Sequence, residues 1–164
     1  MARARWQALA YSSRARREKS SSRSRRVTVS AYSSVLIAAA LMTETHHAAA
    51  QAAMEEHASG GLGVPVTILA ETMSLLRARL GLGQQRRFWD AFMVSGIELV
   101  AVDADLLESA RAIDLAYDDV GFGFADCILL PAGEREHVAT VLSLDRRLGA
   151  YRPSFAPALL LVPQ

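Results

Sequence analysis

Apolar residues recur along this chain in two periods, and the alternation between them predicts the element order. Short apolar runs at VTVS (27–30), IELVAV (97–102), ATVLS (139–143) and LLLV (159–162) have the length and β-branched content of strands. IELVAV alternates and then turns continuously apolar, as a strand covered on both faces does. Longer stretches with helical spacing lie between these runs. They predict helices over Ser33–Leu41, Thr45–His57, Val66–Leu80, Gln84–Val94, Asp103–Tyr117 and from Asp126 to about His137. Ser33 and Ser34 are placed as the cap of the first, Gly60-Gly61 and Gly81 as the stops of the second and third, and Asp103 and Asp105 at the positive end of the fifth. Strands alternating with helices imply an α/β fold with a parallel sheet covered on both faces. Two local features stand apart. Phe88, Trp89 and Phe92 predict an aromatic face used as core or subunit contact, and Pro131 removes a backbone donor inside the sixth helix, where a kink is expected.

The charge distribution changes this picture at one end only. The chain has 164 residues, 51% of them hydrophobic, and a net charge of +1, which suits one domain with a sizeable core. Residues 1–30 carry nine Arg or Lys against the single acid Glu18, so the remainder is acidic. Residues 1–26 are Arg- and Ser-rich without apolar period and are expected to be a disordered basic tail, with the folded domain spanning 27–164. The tail admits three readings: a nucleic-acid-binding arm, a targeting segment, or a start assigned too far upstream, the third being preferred. A twin-arginine export leader, suggested by Arg25-Arg26 before an apolar run, conflicts with the need for that run as the first strand and helix. No stretch has the length of a membrane span, and Cys127, the one cysteine, excludes an intramolecular disulfide. Both fit a cytoplasmic protein, with Cys127 as a small buried hydrophobe.

Three acids lie beside or within apolar stretches: Glu71 in VPVTILAE (64–71), Asp126 in GFGFAD (121–126) and Asp145 in TVLSLDRR (140–147). A carboxylate at the edge of a core is costly unless it is paired or holds a cation. Asp145 follows a strand, at the edge where ligands of a parallel sheet gather, and Asp126 opens a helix, where the dipole favours its ionised form. Together they form a candidate all-oxygen site for Mg²⁺, or Mn²⁺, and so for phosphodiester chemistry. The adjacent His46 and His47 point in different directions on a helix and are read as surface residues, as are His57, His137, Asp118, Asp119, Arg77 and Arg79. Arg146 and Arg147 are candidates for contacting nucleic-acid phosphates, or equally a surface pair that balances Asp145.

Several segments, in order and spacing, resemble the PIN-domain family, in particular the VapC-like toxins of bacterial toxin–antitoxin pairs. They are VTV with SSVLIA at 27–38, HHAAA at 46–50, Pro65 with Ala70-Glu71, GFADCIL at 123–129, VLSLDRRL at 141–148 and LLLVP at 159–163. The resemblance covers residues 27–163 and implies a three-layer α/β/α sandwich around a short parallel sheet. It implies a metal-dependent endoribonuclease acting on single-stranded RNA, using Mg²⁺, neutralised by a cognate antitoxin and often a homodimer. By that resemblance Glu71, Asp126 and Asp145 are the metal ligands and catalytic acids, and Ser143 orients a water or a carboxylate. The family also has an aspartate at the end of the first strand. Here that position falls on Tyr32, or on Ala31 one residue earlier, and a phenol with a pKa of about 10 is a poor substitute for a carboxylate. A catalytic nuclease and a degenerate, non-catalytic module that binds an antitoxin-like peptide or RNA are therefore both open from the sequence.

Overall fold

The computed structural model describes residues 26–58 and 60–163. Of the disordered tail expected over residues 1–26, residues 1–25 lie outside the described residues. Among the described residues five strands and six α-helices follow one another as β1 (Val29–Ala31), α1 (Ser33–Ala40), α2 (His47–His57), β2 (Leu62–Pro65), α3 (Val66–Leu80), α4 (Leu82–Ser95), β3 (Glu98–Val100), α5 (Ala104–Ala116), α6 (Phe124–Glu136), β4 (Thr140–Leu142) and β5 (Leu160–Val162). A short 3₁₀ helix, Arg146–Ala150, joins β4 to β5. The sheet is parallel throughout, in the order β3-β2-β1-β4-β5, with Val29 opposite both Leu62 and Thr140. With helices on both sides of it, this is the expected three-layer α/β/α architecture. No helix among the described residues is long and apolar enough to cross a membrane.

The order of the strands fixes where a site can form. The chain builds outward from β1 through β2 to β3, then returns to lay β4 on the other side of β1. The crevice beyond the carboxyl ends of β1 and β4 is therefore the point where the connections diverge, and ligands of open parallel sheets bind there. Tyr32 and Ser143, each one residue past its strand, stand on either side of it. The Tyr32 N–H donates to the Leu142 carbonyl at 2.9 Å, which extends the β1–β4 ladder to that edge.

The core forms where the apolar periods point inward. Val35, Leu36, Ile68, Leu76, Leu106, Ile128, Leu129, Leu142 and Leu148 are essentially sealed from solvent. Burial of side chains of this size, at about 25 cal/mol per Å² of apolar surface, holds the layers together. Cys127 lies inside this core, as expected for a small hydrophobe. α6 runs through Pro131 as one helix, and residues 125–133 are all buried. Two clasps tie α6 to its surroundings. Arg135 grips Asp103, the cap of α5, with bonds of 2.7 and 2.9 Å, and Glu134 accepts from the Tyr151 hydroxyl, the Ser154 N–H and the Ser154 hydroxyl.

The structure corrects several sequence expectations. β2 was not foreseen, because Leu62-Gly-Val-Pro is too short and contains Gly and Pro, residues that speak against a strand. It is nevertheless buried along its whole length. Ser33 and Ser34 do not cap α1, whose cap residue is Tyr32. The Ser34 hydroxyl instead accepts from the Leu144 N–H at 3.1 Å, across from another strand end. His47 is half-buried and its Nδ1 contacts the Ala38 carbonyl at 2.8 Å, so it links α2 to α1 rather than facing solvent. Phe88 and Phe92 enter the core, but Trp89, about 100° further round the helix, is 55% exposed, so the three do not share a face.

The Asp103–Arg135 clasp yields a test by pH. Its hydrogen bonds to Arg135 and to the Leu106 N–H lower the Asp103 pKa to about 2. A carboxyl whose folded pKa lies below its unfolded value, about 3.9, stabilises the fold above that value and loses the contribution as pH falls through the lower one. Thermal melts between pH 5 and 2 are expected to show a steeper loss in the wild type than in Asp103→Asn, with the two curves converging toward pH 2.

Candidate functional site

Tyr32 stands at the carboxyl end of β1, within the influence of three carboxylates. It follows β1 directly, is 8% exposed, and occupies the cap position of α1 in extended backbone. Burial first, then hydrogen bonding to Asp126, and then the charges of Asp126, Glu71 and Asp145 push its phenol well above the ordinary tyrosine range. The three acids predicted from the sequence thus all act on one side chain, and the phenol stays protonated at any physiological pH.

Each acid arrives from a different element. Asp126 is the third residue of α6 and is 1% exposed. The helix begins two residues earlier than expected, so Asp126 does not open it but folds back over its first turn. Its Oδ2 accepts from the Gly123 N–H at 2.8 Å, while Oδ1 is buried without a partner. Glu71 lies on α3, half-buried, and its Oε2 is likewise buried without a partner. Thr67 sits four residues before Glu71, hence on the same face of α3, and its Oγ1 is the third such atom. Among the described residues these three are the buried side-chain polar atoms that lack a hydrogen bond. All belong to α3 and α6, which pack together. Native proteins keep such atoms few, and unsatisfied ones mark places where water, an ion or a ligand belongs.

Asp145 is placed differently. Its N–H donates to the Ser143 hydroxyl at 2.9 Å, so Ser143, fully buried, fixes the backbone that carries the acid. Its carboxylate is held by Arg147. The Arg147 N–H and Nε reach Oδ1 at 2.9 and 3.2 Å, and Nη2 reaches Oδ2 at 2.7 Å. These hydrogen bonds lower the Asp145 pKa, against the opposing effect of partial burial. The same guanidinium donates from Nη1 to the Gly121 carbonyl at 3.0 Å and brings Nη2 to 4.0 Å from Asp126 Oδ2. Gly121 has φ of 68°, a left-handed conformation that glycine adopts without strain. Arg147 therefore pairs with Asp145, the second of its two sequence readings, while Arg146 is exposed to solvent. The sequence did not reveal the Arg147 contacts to Gly121 and Asp126, which join segments 26 and 21 residues apart. Thr67, by contrast, was within reach through its spacing from Glu71.

The chemistry of these donors suits a hard divalent ion, since the carboxylates, the phenol and Thr67 offer oxygen alone and two carboxylate oxygens lack partners. Their present spacing does not close around one. Among the described residues no three acidic, His or Cys side chains are grouped tightly enough to hold an ion. Two features account for this: Asp145 is turned to Arg147, and a phenol stands where the resemblance expects a carboxylate.

Comparisons with known proteins accord with this architecture. The family model described as PIN domain matches residues 33–152. The crystal structure of the Mycobacterium tuberculosis toxin VapC20, described as cleaving the sarcin-ricin loop, is similar with a TM-score of 0.70 and 17% identity. The match covers 79% of this chain and 98% of that one. VapBC2 from Rickettsia felis, described as bound to a DNA fragment from its promoter, is similar with a TM-score of 0.61 and 15% identity, over 81% and 96% of the two chains. No curated protein matches the chain in sequence.

A buried carboxylate with an orphaned oxygen destabilises the protein that lacks a cation. Asp126→Asn keeps the acceptor for Gly123 and removes the charge. It is expected to raise the melting temperature of the metal-free protein by a few degrees, about 1 kcal/mol, in differential scanning calorimetry with chelator present. A lower melting temperature would mean that the charge is already satisfied.

Proposed function

Because the chain belongs to the PIN-domain family, we propose that the crevice beyond β1 and β4 is a nuclease centre of the toxin type, dependent on a divalent ion such as Mg²⁺ and cleaving phosphodiester bonds of single-stranded RNA. The observation that carries this reading is the pair of buried, partnerless carboxylate oxygens, Glu71 Oε2 and Asp126 Oδ1, at the sheet's switch point. A fold selected for stability alone would not leave both uncompensated.

Glu71, Asp126 and Asp145 would hold the ion. When bound, it supplies Lewis-acid stabilisation of charge on the phosphodiester and activation of water. The chain's own residues do the rest. Asp126, anchored by the Gly123 N–H, presents its free oxygen inward, and Ser143 sets the position of Asp145 through its N–H. Tyr32 stays protonated, so it serves as a hydrogen-bond donor and not as a base. Arg146, exposed beside Asp145, would contact a phosphate of the bound strand. The partners in this reading are an RNA substrate and an antitoxin protein, as the VapBC neighbour suggests, in a homodimer.

A second reading rests on Tyr32. With a phenol in place of the first carboxylate, and no three-acid group assembled among the described residues, the domain would be a binding module without turnover. Cleavage of a single-stranded RNA by the full chain with Mn²⁺ separates the two. Under the nuclease reading the wild type cleaves, and Asp126→Asn loses on the order of 10²-fold or more. Activity that appears only in Tyr32→Asp would instead support the binding module.

A further inference from the structure

The acidic crevice already contains a cation of its own. The Arg147 guanidinium engages both oxygens of Asp145, reaches toward Asp126 at 4.0 Å, and is steadied from behind by the Gly121 carbonyl. Its side chain is 54% exposed, whereas those of Asp145 and Asp126 are 20% and 1% exposed. It thus lies on the solvent side of the site, bound to more deeply buried acids beneath it. We propose that Arg147 is an internal counter-ion that stands in the place of the divalent ion, so that pairing with Asp145 and binding of the ion exclude each other. This rests on the reading that Glu71, Asp126 and Asp145 hold the ion.

Geometry and charge both require the exclusion. A hard divalent ion bonds carboxylate oxygen at about 2.1 Å and needs the lone pairs that now accept from Nε and Nη2. Two cations on one carboxylate also repel strongly where the surroundings are partly buried. The pairing accounts for the incomplete acid group: Asp145 is turned to the guanidinium because, without the ion, that is where its charge is met. Its neighbour Arg146, exposed like Arg147 in the same 3₁₀ turn, makes no ion pair among the described residues.

The test is a Mn²⁺ titration of the full chain, with free Mn²⁺ read by electron paramagnetic resonance. The proteins compared are the wild type, Arg147→Ala, Arg147→Lys and Arg111→Ala, the last removing an exposed cation on α5. Competition predicts that Arg147→Ala binds Mn²⁺ about fivefold more tightly than the wild type, the factor expected for releasing an exposed forked pair. Arg147→Lys, which keeps the charge and loses the fork, should fall between them, and Arg111→Ala should match the wild type. Melting temperature gives a second reading: in chelator Arg147→Ala melts below the wild type, and Mn²⁺ raises it by the larger increment. Equal Mn²⁺ affinity in wild type and Arg147→Ala would overturn the proposal and leave the metal-centre reading standing. Failure of every protein to bind Mn²⁺, Arg147→Ala included, would overturn both.

Discussion

The burial of the Asp126 carboxylate is the constraint around which the rest of this site is arranged. At 1% exposure it has left water, and one of its oxygens accepts nothing in return. Charge in such a place must be met by hydrogen bonds, by a counter-ion or by both. The first turn of α6 contributes the Gly123 N–H, and the helix dipole adds a favourable field. The phenol of Tyr32 and the guanidinium of Arg147 approach from β1 and from the 3₁₀ turn after β4. Three otherwise distant segments therefore converge on one negative charge. The parallel sheet makes this possible by ending β1 and β4 side by side.

Much of this architecture was legible in the chain itself. The apolar runs at 97–102, 139–143 and 159–162 overlap strands β3, β4 and β5, because short runs rich in Val, Ile and Leu mark strands, although β3 and β5 are only partly buried and not covered on both faces as expected. The helix over 66–80 matches α3 to the residue, since Pro65 and Gly81 bound it. β2 was illegible for the opposite reason: it is held by neighbours on both sides, so tertiary pairing overrides the poor strand propensity of Gly63 and Pro65. Gly63 has a further reason to be there, since a Cβ at that position would lie 2.5 Å from Val27 Cγ1.

The site was legible in its parts and not in its contacts. Burial of Glu71, Asp126 and Asp145 follows from their apolar surroundings, which the sequence displays. Which cation meets Asp145 depends on the turn of a 3₁₀ helix, which no hydrophobic period encodes. The same holds for Ser34 and Ser143. Ser34 was read as a helix cap and Ser143 as orienting a water or a carboxylate, and each accepts from a backbone N–H just past β4, at Leu144 and Asp145.

The mooring of the 3₁₀ turn has a dynamic corollary. Its upstream flank is tied at Leu144 to Ser34, and its downstream flank is tied through Tyr151 and Ser154 to Glu134 on α6. Leu148 in its middle is sealed in the core. The backbone beneath Arg147 is thus clamped fore and aft, and only the arginine's own torsions are free to carry its head elsewhere. Exposed side chains reorient in picoseconds to nanoseconds, whereas loop rearrangements take nanoseconds to microseconds or longer. Any exchange of charge partners at Asp145 would then need only the breaking of the guanidinium's hydrogen bonds and a turn of its torsions, and the scaffold would stay still while it happened.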